Sequence, residues 1–359
     1  MTATVAPRWR PRSEEWLQRP PSRFEAAPNR PLFIGACPRS GTTLLRVMLD
    51  NHPDLAIPHE TNFVRPLWWR RIRFGDLRDP ANRRRVAEWI FTDKSTRGGR
   101  LRGGRVSRQD AIRRVAQAPP TVGSIVQACL ELYAELHGKP RWGDKRPSYS
   151  GFVGMLFAMF PDAQYINLVR DPRAAVASQI PMPWSDPEVA LPAATARWEA
   201  AVRRTDHFAQ ELRPDQLLDL RYEDMVSDPH AALERVCAFA GLRAGDAIET
   251  MISKRRGSLR GSHKVVSEPI TTAPVDRWRE RLEPHQVALV EWTTAPLLDR
   301  FGYRPAEDLR AGVTPSDARE LARQRRSRRR EWRSSQRGEL LRRALYRRPV
   351  AAVAASPRS

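Results

Sequence analysis

The sequence predicts an α/β fold in which a parallel central sheet is flanked by helices. Short apolar runs that suit buried strands alternate with segments whose apolar residues have helical spacing. This alternation is typical of parallel sheets, because the helices that connect the strands cover both faces. At 359 residues the chain is long enough for a large buried core, and no internal repeat is present.

The first strand-to-helix unit follows a lead-in over residues 1–30, which is rich in proline and arginine and is expected to be extended. The apolar run PLFI at 31–34 is predicted to be a strand, and a glycine ends it. Residues 42–51 then carry leucine and methionine at helical spacing. We predict that the main domain covers residues 31–309.

Residues 65–125 are rich in arginine and include RGGRLRGGR, which we expect to stay out of the core. Helices are predicted around 82–92 and 122–137, on either side of a flexible loop. We interpret this segment as a surface insertion, with a lid over a site as the alternative.

A second strand-to-helix unit begins with AQYINLV at 163–169, a predicted buried strand, and continues into DPRAAVASQ, a predicted helix start. The remaining predicted elements are a helix over 195–212, a strand over 217–220, a helix over 230–240 capped by Ser227-Asp228-Pro229 and ended by Gly241, and a helix over 284–301.

The formal charge of the chain is +21, and about half of it lies in the tail, residues 310–359. The tail holds fifteen arginines and four acidic residues, a net +11. Such a block repels itself and buries little apolar surface, so we expect a solvated tail that is partly disordered or helical. Its charge would suit nucleic acid, an acidic partner or peripheral contact with an anionic membrane.

Cys37, Cys129 and Cys237 lie far apart, without a CxxC pair or neighbouring histidines. This spacing argues against a disulfide framework and a zinc site, and we expect no metal. The first residues lack the apolar segment of a secretory signal, and no stretch approaches the roughly 18 apolar residues of a membrane span. We therefore expect a cytoplasmic protein, and the Arg- and Ala-rich composition favours a bacterial one. The oligomeric state stays open.

The turn from Gly35 to Thr43 is predicted to bind an anion. Backbone N–H groups and the positive end of a helix dipole converge there, and Ser40, Thr42 and Thr43 add hydroxyl donors. Relative to the pattern GxxxxGK[ST], Thr42 stands at the lysine position and Arg39 lies earlier. The missing lysine disfavours ATP or GTP hydrolysis. An ordinary strand-to-helix junction is the structural alternative.

The stretch PRSGTTLL resembles the 5′-phosphosulfate loop of sulfotransferases, which use 3′-phosphoadenosine 5′-phosphosulfate (PAPS) as donor. FPDAQYINLVRDPRAAVASQ resembles the 3′-phosphate motif of the same family, and this implies that Arg170 and Ser178 bind the ribose 3′-phosphate. A guanidinium and a hydroxyl at a helix start suit a doubly charged phosphate. Taken alone, VRDPR could instead be the end of a strand whose charged residues pair with one another. The occurrence of both motifs in the order expected for the family is a more specific signal than either motif alone.

The spacing is most similar to tyrosylprotein-type and related bacterial sulfotransferases, over residues 31 to about 303. The resemblance implies a P-loop nucleoside-phosphate-binding fold, with Glu60 and Lys145 as catalytic residues. The donor-binding residues that it implies are Arg39, Ser40, Gly41, Thr42, Thr43, Arg170, Ser178, Tyr222, Ser262 and Arg277. Met182 replaces an arginine of some relatives, so one 3′-phosphate contact is expected to be weaker or to come from elsewhere, such as the Arg-rich insertion.

In the implied mechanism, Glu60 takes the proton of an acceptor hydroxyl while Lys145 neutralises the oxygen that leaves in line. His59 is a rival base, Lys145 could instead pair with Asp144, and Tyr222 could be a core aromatic. The expected acceptor is a glycolipid, a carbohydrate or another small molecule. Two other functions stay open: a small-molecule kinase, and a nucleic-acid-binding protein, which only the basic tail supports.

Overall fold

The computed structural model describes residues 30–253, 270–306 and 312–354, with side chains described up to residue 334. Its strands are β1 (Leu32–Ala36), β2 (Leu55–Ala56), β3 (Arg141–Lys145), β4 (Gln164–Val169) and β5 (Leu217–Arg221). They form one sheet in the order β2-β3-β1-β4-β5, and every neighbouring pair is parallel. The predicted α/β class with a parallel central sheet is confirmed.

The helices over the described ranges are α1 (Thr42–Asp50), α2 (Val64–Arg70), α3 (Pro80–Thr92), α4 (Arg108–Ala116), α5 (Val122–Leu136), α6 (Val153–Met159), α7 (Pro172–Gln179), α8 (Ala190–Ala209), α9 (Tyr222–Ser227), α10 (Pro229–Ala240), α11 (Asp246–Ser253), α12 (Ala273–Asp276), α13 (Pro284–Arg300) and α14 (Pro315–Ala354). Short 3₁₀ turns lie at Arg71–Phe74, Lys94–Thr96, Gly98–Arg102, Pro147–Gly151 and Arg277–Glu280. No helix in these ranges combines the length and apolar character that crossing a bilayer requires.

The strand side chains alternate between two hydrophobic clusters, one on each face of the sheet. Phe33 and Tyr165 face a cluster that α2 to α6 cover. Leu32, Ile34 and Ile166 face a second cluster, built with α1, α9, α10 and α11. Because both faces are covered, the strands are buried throughout the centre of the sheet, as the apolar runs predicted.

The prediction that RGGRLRGGR stays out of the core was wrong. Leu101 of this stretch is fully buried in the same cluster as Val86 and Ile90 of α3. A side chain at Gly98 would place its Cβ 2.4 Å from the Ile90 carbonyl oxygen, so the backbones approach closely there. The arginines of the segment lie around these apolar positions, which pack inward at helical spacing.

The described part of the tail is one helix, α14, whose first half packs on α8 and α13. Leu321 of α14 is buried, and the Arg325 guanidinium pairs with Glu199 of α8 at 2.6 Å. The expected solvated tail is therefore anchored at its beginning, because apolar and charged positions recur on one face of the helix. The division between domain and tail, and the lid function of 65–125, stay predictions.

Candidate active site

A cavity of about 830 Å³ opens at the carboxyl edge of the sheet. At this edge β1 lies between β3 and β4, which is the point where the strand order changes direction. Open parallel sheets bind ligands at such a point, and ligand pockets commonly span about 300–1,000 Å³. Of the twelve predicted site residues, nine line this cavity: Arg39, Gly41, Thr42, Thr43, Glu60, Arg170, Ser178, Tyr222 and Arg277.

The other three predicted residues have different positions. Lys145 reaches the cavity through its contacts with Glu60 and Thr43. Ser40 is buried, and its hydroxyl has no hydrogen-bond partner in the described structure. Ser262 lies outside the described residues.

The loop between β1 and α1 depends on two left-handed residues. Arg39 has φ 71° and Gly41 has φ 90°. Gly41 is the N-cap of α1 and provides no side-chain acceptor, so the first N–H groups of the helix stay available for an anion. A Cβ on Gly41 would lie 2.4 Å from the Tyr222 ring. Glycine is therefore required here both for the backbone conformation and for the contact with Tyr222.

Two arginines, one in this loop and one at the end of β4, form no ion pair with a carboxylate in the described structure. Arg170, at the end of β4, donates to the Arg39 carbonyl at 2.9 Å and to the Pro274 carbonyl at 2.6 Å, and its guanidinium lies 4.4 Å from the centre of the Tyr222 ring. Arg39 Nε donates to the Ser178 hydroxyl at 3.2 Å. Burial lowers the pKa of both arginines, and Arg170 also lowers that of Arg39 by repulsion. Buried positive charges of this kind favour an anionic ligand.

Lys145 brings an ammonium group to the loop, which has no lysine of its own. The register of the sheet sets Lys145 beside Ile34 of β1, and its ammonium lies 2.6 Å from Glu60 Oε1 and 3.5 Å from Thr43 Oγ1. Burial alone would raise the pKa of Glu60, but attraction to Lys145, the hydrogen bond from Lys145 and attraction to Arg146 and Arg97 together lower this pKa. Burial lowers the pKa of Lys145 despite its attraction to Glu60. The ion pair of Lys145 is thus with Glu60 and not with Asp144.

Asp144 lies behind this pair and is fully buried. Its carboxylate accepts hydrogen bonds from the Thr61 hydroxyl at 3.1 Å and from the Tyr149 hydroxyl. Burial raises the pKa of Asp144 to about 6. Because Thr61 follows Glu60 directly, these bonds hold the backbone that presents the Glu60 carboxylate. His59, the rival base, is exposed and is not among the lining residues of the cavity.

Sequence reasoning missed Trp184, Arg197, Trp278 and Arg281, which also line the cavity. Arg197 of α8 donates to the Gln179 side chain at 2.6 Å, next to Ser178, and its guanidinium lies 4.9 Å from the Trp184 ring centre. No described residue of 65–125 lines the cavity. The Arg-rich insertion therefore does not supply the missing arginine contact in this structure, whereas α8, which carries no recognisable motif, brings a guanidinium to that side.

Comparisons with known proteins agree with this arrangement. The model of the sulfotransferase family matches residues 31–246. A protein-tyrosine sulfotransferase of Drosophila melanogaster is 27% identical over 286 residues, which cover 76% of this chain and 52% of the fly protein. Protein-tyrosine sulfotransferase A of Caenorhabditis elegans is 27% identical over 287 residues, or 76% of this chain and 67% of the worm protein. The chain thus spans about half the length of the fly relative.

Solved structures share the fold. The sulfotransferase domain of the Synechococcus PCC 7002 olefin synthase has a TM-score of 0.56 and 25% identity, covering 80% of this chain and 98% of that domain. The sulfotransferase domain from the curacin biosynthetic pathway has a TM-score of 0.54 and 21% identity, covering 78% of this chain and all of that domain. Since the family match covers more than half of the chain, this chain belongs to the sulfotransferase family.

Proposed function

We propose that this protein transfers the sulfuryl group of PAPS to a hydroxyl of a small acceptor, such as a glycolipid, a carbohydrate or another small molecule. The observation that carries the proposal is the Lys145–Glu60 pair, 2.6 Å apart beside the anion loop. The pair combines a cation for the leaving oxygen with a carboxylate for the acceptor proton, which are the two groups that the reaction requires. Family membership supports the same chemistry.

The donor would bind along the lining described above. The loop amides and the hydroxyls of Thr42 and Thr43 would hold the 5′-phosphosulfate, as expected at a helix N-terminus. Arg170 and Ser178 would bind the 3′-phosphate, which gives a buried guanidinium the anion that it lacks in the free protein. Tyr222, stacked under Arg170, would support this side of the nucleotide.

The transfer itself requires one bond to form and one to break. The acceptor oxygen attacks sulfur, the bond between sulfur and the bridging oxygen breaks, and its electron pair stays on the 5′-phosphate of the product. Glu60 receives the proton of the acceptor hydroxyl, and Lys145 stabilises the charge on the leaving phosphate. A donor in the loop offers Lys145 a second acceptor, so that the Glu60 carboxylate becomes available as the base.

Trp184, which is 52% exposed, Pro181 and Met182 form an apolar rim close to Ser178 and Arg197, on the proposed 3′-phosphate side of the cavity. The acceptor hydroxyl has to approach from the other side, beside Glu60, and the preference for a small acceptor rests on the composition of the chain. Peptide tyrosine is the competing acceptor, since the relatives described above are protein-tyrosine sulfotransferases.

The test is transfer of labelled sulfate from PAPS to a panel of phenols, sugars, glycolipids and tyrosine peptides, together with calorimetric binding of the product nucleotide, 3′-phosphoadenosine 5′-phosphate (PAP). Glu60→Gln should bind PAP within about threefold of wild type and lose roughly 10²–10⁴ in kcat. His59→Gln, which changes the exposed neighbour, should remain active. Failure of the wild-type protein to bind PAP would refute the proposal, and an active Glu60→Gln would refute the assignment of the base.

A further inference from the structure

A second cavity, of about 190 Å³, lies between α8 and α14 and shares no lining residue with the active-site cavity. Its walls carry five arginines and one carboxylate: Arg203, Arg204, Arg325, Arg328, Arg329 and Glu199. Arg203 and Arg329 are exposed, whereas Arg204, Arg325 and Arg328 are half-buried, so the cleft carries an excess of positive charge that is partly withdrawn from solvent. Such a partly buried excess is costly unless an anion compensates it.

The one carboxylate in this cavity is already engaged. Glu199 pairs with Arg325 at 2.6 Å and with Arg203 at 3.0 Å. Among the described side chains, neither Arg204 nor Arg328 forms an ion pair. Arg204 donates to the Arg328 carbonyl at 3.2 Å, and Arg328 reaches the Ala193 carbonyl only at 3.5 Å. Glu331 attracts both guanidinium groups but does not pair with either.

Two buried donors in this cavity have no acceptor in the described structure. They are the Nε of Arg328 and the indole N–H of Trp332. Burial lowers the pKa of both Arg204 and Arg328, and repulsion by Arg328 lowers that of Arg204 further. Unsatisfied buried donors are uncommon in folded proteins, and a bound ion or ligand is one established reason for them. An oxyanion in the cavity would accept hydrogen bonds from these groups.

One turn further along the same two helices, the lining of the cavity is aromatic. Phe208, His207 and Trp332 line it, and the rings of His207 and Trp332 meet edge to face with centres 6.3 Å apart. Guanidinium groups with rings one helical turn away suit a ligand with one anionic group and a small apolar body. The volume lies below the roughly 300 Å³ at which pockets for drug-sized ligands begin, so the ligand is smaller than a nucleotide.

We propose that the cleft between α8 and α14 binds a small organic anion, in which a phosphate, sulfate or carboxylate group meets Arg204 and Arg328 while a ring or short apolar body packs against Phe208 and Trp332. This site is separate from the sulfuryl-transfer site. It also gives the basic tail helix α14 a role. This role depends on the residues of α14 that face α8, such as Arg328 and Trp332, and not on the exposed arginines of the helix.

The test uses the full-length protein with phenyl phosphate as the probe, in titration calorimetry at constant ionic strength. PAP at saturation occupies the anion positions of the active site. If PAP does not bind, the active site is instead weakened as an anion site by the Arg170→Ala substitution, and the titration is repeated with this variant. The test of the cleft therefore stays valid even if the proposed sulfuryl-transfer function is wrong. We expect saturable binding of one phenyl phosphate per chain, and weaker binding of inorganic phosphate, which lacks the apolar body.

Substitutions on the two faces of α14 distinguish binding at a specific site from general attraction of the anion to a basic helix. Arg328→Gln should weaken phenyl phosphate about tenfold or more, whereas Arg326→Gln, an identical change at an exposed position of the same helix, should have no effect. Arg204→Gln on α8 should reproduce the loss, and it serves if Arg328→Gln unfolds the tail helix. Absence of saturable binding, or equal losses for Arg326→Gln and Arg328→Gln, would overturn the proposal.

Discussion

Arginines are frequent both in the segment 65–125 and around the active-site cavity, but their partners differ. Four of the fifteen arginines of the segment form exposed ion pairs with nearby acids: Arg78 with Asp76, Arg84 with Glu88, Arg113 with Asp110 and Arg114 with Glu135. Arg83 of the same segment donates to three backbone carbonyls. The paired charges are thus neutralised by neighbouring acids at the surface, and such exposed pairs contribute little to stability.

Arginines of the cavity are compensated differently. Arg39 and Arg170 bond a hydroxyl and backbone carbonyls, and neither forms an ion pair within the described ranges. The number of arginines in a stretch therefore does not locate an anion site. What distinguishes the site is a buried guanidinium without a carboxylate, at the carboxyl edge of a parallel sheet.

The largest effect that follows from this difference is expected for Arg170→Ala. Loss of a charge-assisted contact with the 3′-phosphate should weaken PAP roughly 30- to 150-fold, since such bonds contribute about 2–3 kcal/mol. Adenosine 5′-phosphate, which lacks the 3′-phosphate, should lose much less. Arg84→Ala in the segment is the matched control and should leave PAP affinity within about twofold. Calorimetry with both nucleotides decides the point, and equal losses for the two would reject the 3′-phosphate role.

A glycine in each region provides the next comparison. Gly41 and Gly104 both have left-handed backbones, with φ 90° and 71°. A Cβ at Gly104 would have no neighbour within 4 Å, whereas at Gly41 it would collide with Tyr222. Both alanine variants should lose about 1 kcal/mol of unfolding free energy from backbone strain. Only Gly41→Ala should also weaken PAP, by about tenfold, because Tyr222 and the loop must move apart. Denaturation and calorimetry on both variants test this, and equal PAP affinities would exclude a role for the ring contact.

The junctions β1–α1 and β4–α7 could be predicted from the sequence because their signals are local. An apolar run, a glycine or an Asp-Pro cap, and helical spacing follow one another within about twenty residues. Gly41 and Asp171 occur at these boundaries as expected, and Asp171 accepts a hydrogen bond from the Arg173 amide at 2.8 Å. The position of most of the predicted donor-binding residues around one cavity follows from these two junctions.

Other parts depend on contacts that no local pattern records. β3 has the sequence RWGDK and no apolar run, yet it is buried because distant groups satisfy its polar side chains. Arg141, for example, donates to the Gln164 side chain at 2.7 Å. Arg197 reaches the cavity from a helix without a motif, and Leu101 enters the core from a stretch of glycines and arginines. Tertiary packing, not propensity, decides these positions.

Arg197 is expected to give a smaller effect than Arg170, because it already donates to Gln179 and lies partly against Trp184. Arg197→Gln should weaken PAP about fivefold, consistent with the loss of one partly solvated contact. If Arg197 replaces the arginine that some relatives carry at the position of Met182, adding Met182→Arg to Arg197→Gln should restore affinity. Arg113→Gln is the control from the segment. A double variant no tighter than Arg197→Gln would argue against this replacement.

The smallest expected effect is on the pH dependence of stability, where the two regions should differ in sign. Burial raises the pKa of Asp144 from 3.8 to about 6, so the folded protein holds this proton more tightly than the unfolded chain does between those values. Its contribution to stability therefore falls as the pH rises from about 4 to 6. Asp110 is the opposite case: hydrogen bonds from Ser107 and Arg113 lower its pKa, so its contribution is present above its ordinary pKa and is lost only as the pH falls through the lowered value.

Asp144→Asn should consequently reduce the loss of unfolding free energy between pH 4 and 6 by on the order of 1 kcal/mol, because asparagine keeps an acceptor for Thr61 and Tyr149 but does not titrate. Asp110→Asn should leave this slope unchanged. Urea denaturation at half-unit pH steps measures both slopes against that of the wild type. If the Asp144→Asn slope equals the wild-type slope, Asp144 is already ionised throughout this range, and the carboxylate behind the Glu60–Lys145 pair is then compensated as fully as those of the arginine-rich segment.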